Sequence, residues 1–169
     1  PGVRACRTGN PGRVSPHDDE RPVPDRHRCS AGAETPALRI MTMADAAALS
    51  RMRRRLRRWL DGLGWPQDLG DEVTMAVDEA ASNVIDHAYP RQPAGPVRII
   101  ARRLVGGARG HRHLEIRVRD WGRWRPSPSD PGHRGRGLMM MRAFMHRVDL
   151  RHMDDGTEVV MRSVAVAPG

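Results

Sequence analysis

The chain has 169 residues and a formal net charge of +9, and all 29 of its Lys-or-Arg positions are arginine. This length suits one domain with a substantial core, and the absence of lysine excludes a Walker-A phosphate loop, a eukaryotic-type protein kinase and any Schiff-base enzyme, each of which needs a Lys in its site. No apolar run approaches the roughly 20 residues that span a bilayer, and no signal-peptide pattern opens the sequence, so the reading is a cytoplasmic protein without a membrane segment.

Residues 1–35 are rich in Pro, Gly, Ser and Arg and lack an apolar period. They bury too little to offset ordering entropy and are predicted to be a disordered tail ahead of a domain over residues 36–166. Opening on Pro1 rather than Met points to processing, a fragment or preceding sequence, with Met41 or Met43 as alternative starts. Cys6 and Cys29 both lie in the tail, so neither staples the core, and a reducing compartment follows. Their spacing with His17 and His27 fits no standard zinc finger.

Ala37 to Met43 alternates as a short strand, and Asp45 suits the N-cap of a helix over Ala46 to Leu63. Leu49, Met52, Leu56, Trp59, Leu60 and Leu63 form its apolar stripe, with six arginines between Arg51 and Arg58 around it. Gly62 and Gly64 end this helix, and Pro66 marks the start of a second. The second helix is predicted from Asp68 to Ala88, closed by Pro90, with Val73, Ala76, Val77, Ala80, Val84 and Ala88 as its packing face.

A separate stripe of that helix carries Glu79, Asn83 and His87 at a spacing of four. Asn83 offers a neutral oxygen of the kind a hard divalent cation accepts, and Glu79, one turn earlier, is placed to take a proton from an attacking hydroxyl or water. The alternative is an ordinary polar helix face.

Val97 to Val105 and Leu114 to Asp120 read as strands joined through Gly106, Gly107 and Gly110. Asp120 ends the second of them. A carboxylate there can accept a hydrogen bond from an exocyclic amine such as that of adenine, and Gly122 lets a flat ring approach the backbone, although the same residues also make simple turns. Trp121 to Arg134 has no periodicity and is predicted to be a loop. Gly135, Arg136 and Gly137 precede a helix through Leu138, Met141, Phe144 and Met145, which suits either phosphate binding by free amides or a flexible joint. A strand near Arg147 to His152, a turn at Asp154, Asp155 and Gly156, and a last strand from Thr157 to Ser163 complete the chain, with the Thr157 hydroxyl available to a base or a bridging water. The order predicts an α+β two-layer sandwich, a mostly antiparallel sheet with helices on one face.

Taken together, the row Glu79, Asn83, His87, the Asp120-Trp121-Gly122 segment, the Gly135-Arg136-Gly137-Leu138 segment and the Gly156-Thr157 pair resemble the four nucleotide-binding boxes of the GHKL ATPase superfamily. "AVDEAASNVIDHAY" at Ala76 to Tyr89 and "GRGLMMMRAF" at Gly135 to Phe144 are most similar to the bacterial anti-sigma-factor serine/threonine kinases. The resemblance spans about Ala37 to Ser163 and implies a Bergerat ATP-binding fold that holds ATP and Mg²⁺ beneath a lid over roughly Gly122 to Arg134. It further implies that Glu79 is the general base, Asn83 the magnesium ligand and Asp120 the reader of adenine. The implied partners are a STAS-type anti-anti-sigma protein as substrate, a sigma factor that is sequestered, and a second copy in a homodimer. Trp124 stands where many relatives carry a Gly, which implies an aromatic ring against the adenine pocket or a stiffer lid. Similar Trp-Arg-Pro runs occur in kinase-like domains linked to phosphatase regulators, and imply that the chain is the ATP-binding end of a larger switch protein.

Three other readings compete. The Arg51 to Arg58 helix and a pI near 11.3 suit nucleic acid, but few aromatic platforms accompany them, which favours a solvated face or an acidic protein partner. A histidine kinase shares the ATP boxes, yet the helix before the site carries no His to phosphorylate. A regulator that holds ATP without transferring phosphate has the same residues as an active kinase.

Overall fold

The computed structural model describes residues 36–89, 93–106, 110–123 and 136–168. The expectations for the tail 1–35, for Trp124 and the rest of the lid through Arg134, and for Gly135 lie outside these residues.

Five strands, β1 (Leu38–Met43), β2 (Pro96–Gly106), β3 (His111–Asp120), β4 (Arg147–Met153) and β5 (Gly156–Arg162), form one sheet in the order β1-β2-β3-β5-β4. Every neighbouring pair is antiparallel. The register sets Ile40 opposite Ile99, Ala101 opposite Ile116, and Val118 opposite Val159, and because side chains alternate across a strand these residues share one face. All six are buried. The opposite face carries charge: Glu115 accepts from Arg117 at 2.9 Å and from Arg162 at 3.0 Å. Burial pushes the Glu115 carboxyl up, but these hydrogen bonds outweigh it and hold it below its ordinary value.

Helices cover the apolar face. In α1 (Ala46–Gly62) the Asp45 carboxylate caps the first turn by accepting from the Ala48 N–H at 2.7 Å. Ala48, Met52, Leu56 and Leu60 are its buried stripe, and burying a side chain such as Leu56 contributes about 1.5–3 kcal/mol. Its C-terminus closes with Gly64 at φ 58°, where the Gly64 N–H reaches Asp61 O and the Trp65 N–H reaches Leu60 O. This pairing satisfies two of the last carbonyls and requires the left-handed residue that glycine supplies. Buried Leu60 and Trp65 sit at its two ends.

Pro66 precedes α2 (Gln67–Asn83), whose small buried residues Ala76, Val77, Ala80 and Ala81 join the same core. The predicted helix to Ala88 is corrected at this point: after Asn83 the chain continues as a π-helical turn, Val84–Ala88. The wider turn leaves the Ala88 carbonyl to accept the Arg123 N–H at 3.0 Å, a tertiary bond that a regular helix end does not make. The last helix, α3 (Arg136–Phe144), packs on α2 with Met141 buried.

The strand boundaries also shift. β3 starts at His111, before the predicted Leu114, because the added residues are polar and are held by pairing rather than burial: the Arg112 N–H donates to Val166 O and Val166 N–H to Arg112 O. The observed architecture is the expected α+β sandwich.

Candidate functional site

Glu79 and Asn83 lie one turn apart on α2, half-buried, with the Asn83 Nδ2 donating to Glu79 Oε1 at 3.5 Å. That bond uses the amide's Nδ2, and among the described residues no hydrogen bond uses its Oδ1. The first turn of α3 lies directly over the pair. A Cβ built on Gly137 would overlap Glu79 Oε1 and come within 3.1 Å of Asn83 Nδ2, so only glycine lets the backbone approach this closely.

A second cluster gathers at the end of β3. Asp120 is 5% exposed, and its Oδ1 accepts the Gly122 N–H at 2.9 Å. Burial raises the Asp120 pKa, opposed by the backbone N–H groups of Gly122 and Thr157 and by the charge of Arg119. Gly122 is pressed against Ala88 so tightly that a Cβ would overlap the Ala88 carbonyl. Thr157, at the start of β5, is buried beside Asp120. Ala88 ties the two clusters together, since it ends the π turn that begins just after Asn83.

Of the remaining residues singled out from sequence, His87 is exposed on the π turn, and among the described residues no hydrogen bond joins it to Glu79 or Asn83. Arg136 is exposed at the first position of α3, and Leu138 is half-buried against the core. Gly135 lies outside the described residues. One contributor escaped sequence reasoning. Tyr89 donates through its hydroxyl to Pro96 O at 2.7 Å and accepts from the Trp121 N–H at 3.0 Å. The sequence placed it only as the last residue of the Ala76 to Tyr89 segment and as the single tyrosine of the chain.

The arginines of α1 are partly spent in pairing. Arg53 meets Asp78 at 3.3 Å and Arg57 meets Asp71 at 3.2 Å, while Arg55 donates to Arg39 O at 3.0 Å. These exposed pairs are worth well under about 1 kcal/mol each, and they fit a solvated face better than a row of free phosphate ligands.

The described site thus holds a carboxylate beside an amide on one helix, an acid buried at a strand end, and a helix start that glycine brings close over the first pair. Residues 42–163 match the profile of the histidine kinase-like ATPase domain. The chain belongs to that family. Membership implies ATP binding by this ATPase domain. Among solved structures, the RsbU and RsbW domains of Rv1364c from Mycobacterium tuberculosis match with a TM-score of 0.61 at 24% identity, over 79% of this chain and 34% of that one. The chain therefore spans about a third of that matched chain's length, and the likeness is one of fold. The histidine kinase domain of a blue-light activated histidine kinase from Erythrobacter litoralis matches at 21% identity and a TM-score of 0.47, over 79% of this chain and 70% of that one. Among the described residues no helix is long and apolar enough to cross a membrane.

The donor set suits a magnesium nucleotide. Asn83 would offer Mg²⁺ a neutral amide oxygen beside the Glu79 carboxylate. Mg²⁺ commonly takes one or two oxygens from protein, with phosphates and waters completing its octahedron.

Proposed function

We propose that this ATPase domain is an ATP-dependent serine/threonine kinase of the anti-sigma-factor type, which phosphorylates a STAS-domain anti-anti-sigma partner and sequesters a sigma factor as a homodimer. The observation that carries the proposal is the Glu79–Asn83 pair, hydrogen-bonded at 3.5 Å beneath Gly137. In this reading the Glu79 carboxylate accepts the proton of the attacking serine hydroxyl. Asn83 steadies that carboxylate with its Nδ2 and turns its Oδ1 to Mg²⁺. Asp120 accepts the exocyclic amine of adenine, with the Gly122 amide holding its carboxylate and Thr157 offering its hydroxyl alongside. Arg136 and the first amides of α3 face the phosphates, and Gly137 lets the backbone of that turn come close to Glu79 and Asn83. Bound magnesium supplies neutralisation of phosphate charge, the main requirement of phosphoryl transfer at a site without a covalent nucleophile.

Radiolabelled ATP offered with candidate STAS proteins tests this directly. Label should pass to the STAS partner and vanish with Glu79→Gln. Label that persists in Glu79→Gln refutes the assigned base, and no label on any STAS protein leaves a regulator that binds ATP or a sigma factor without transferring phosphate.

A further inference from the structure

The hydroxyl of Tyr89 joins three elements. It projects from the end of the π turn, donates to Pro96 O at the start of β2 and accepts the Trp121 N–H at the end of β3. Trp121 directly follows Asp120, whose Oδ1 is fixed by the Gly122 amide two residues on. The phenol and the carboxylate therefore hold the same short backbone segment. Arg123 N–H to Ala88 O at 3.0 Å adds a third tie from that segment to the π turn.

We infer that Tyr89 is a positioning residue for nucleotide selection: by holding Trp121 it sets the Asp120 carboxylate at the angle needed to receive an exocyclic amine. The inference rests on the assignment of Asp120 as the adenine acceptor given above. Geometry favours it over a purely structural role. The Tyr89 ring packs against the core, yet the hydroxyl is used twice, and one of its two partners is the residue after the acid. Hydrogen-bond strength depends steeply on direction, so loosening the Trp121 amide lets the carboxylate rotate away from the amine without disturbing groups that contact phosphate. The neighbouring Gly95 supplies a second handle, because a Cβ there would overlap the Tyr89 ring.

The test compares ATP with purine riboside triphosphate, which lacks the exocyclic amine, by calorimetry on the full chain with magnesium. Wild-type protein should prefer ATP. Tyr89→Phe should weaken ATP by roughly 5–10-fold while leaving the amine-free analogue unchanged, so that the preference shrinks. Gly95→Ala, which displaces the ring without touching a proposed site residue, should reproduce the pattern and serves if the phenylalanine variant folds poorly. In an Asp120→Asn background neither change should alter the ratio further. Equal weakening of both nucleotides, or an unchanged ratio in both variants, overturns the positioning role. Absence of any ATP preference in the wild type refutes the assignment of Asp120 instead, and so separates the two failures.

Discussion

Asp120→Asn separates function from structure most cleanly. The carboxyl is 5% exposed and its pKa is raised chiefly by burial, against the opposing amides of Gly122 and Thr157. For an acid whose folded-state pKa lies above its unfolded value, the favourable contribution is complete below the unfolded value and is lost as pH rises through the folded one. At neutral pH the ionised Asp120 therefore weakens the fold by about 1.4 kcal/mol for each pKa unit of elevation. Asn removes that charge and keeps an oxygen for the Gly122 amide, at the loss of a second acceptor worth about 0.5–1.5 kcal/mol. The two effects oppose each other, so the variant should melt within about 1 kcal/mol of wild type at pH 7. Relative to wild type it should lose ground as the solution is acidified and Asp120 takes up its proton. Affinity for ATP should fall far more, by about 10–150-fold, as expected for losing a hydrogen bond to a charged group. Urea melts at several pH values and calorimetry with Mg-ATP read the two quantities. A variant destabilised by more than about 2 kcal/mol at neutral pH, with ATP affinity intact, would show that Asp120 is a turn cap and not a ligand.

Other substitutions extend the account. Gly137→Ala should leave stability within about 1 kcal/mol, since alanine's helix preference offsets displacement of the mobile Glu79 end, yet abolish phosphate transfer measured with radiolabelled ATP. Leu56→Ala, at a site with 0% exposure, should cost about 2–5 kcal/mol by chemical denaturation without changing nucleotide preference in the molecules that remain folded. Gly156 has φ 139° and a Cβ there would overlap Asp120 O. Gly156→Ala should lower the melting temperature markedly and weaken ATP as well, because the clash lies on the carboxylate's own backbone.

Much of this architecture is written in local pattern. The stripe of Met52, Leu56 and Leu60, with Asp45 before it and Gly64 after it, defined α1 to within a residue or two because cap chemistry and the 3.6-residue period agree. The alternation of Val97, Ile99 and Ala101 likewise marked β2. The acid and amide at 79 and 83 were visible because a spacing of four is a local property of a helix. What local pattern could not show depends on tertiary partners. The π turn at Val84–Ala88 exists where Ala88 O bonds to Arg123, and no periodicity signals a change from one helical hydrogen-bond span to another. The polar start of β3 is held by Val166, far along the chain. Gly137 could be read as a joint or a phosphate contact, but its fit over Glu79 appears only once α3 is packed on α2. Tyr89 offered no motif of its own, and its bonds to Pro96 and Trp121 cross three elements.

In the proposed mechanism Glu79 moves a proton while Asn83 and Asp120 hold the nucleotide. Calorimetry with Mg-ATP on Glu79→Gln, paired with a phosphate-transfer assay on the same preparation, tests it most directly. The account predicts near wild-type ATP affinity together with complete loss of transfer, and full transfer by that variant, or wild-type protein that fails to bind Mg-ATP, would contradict it.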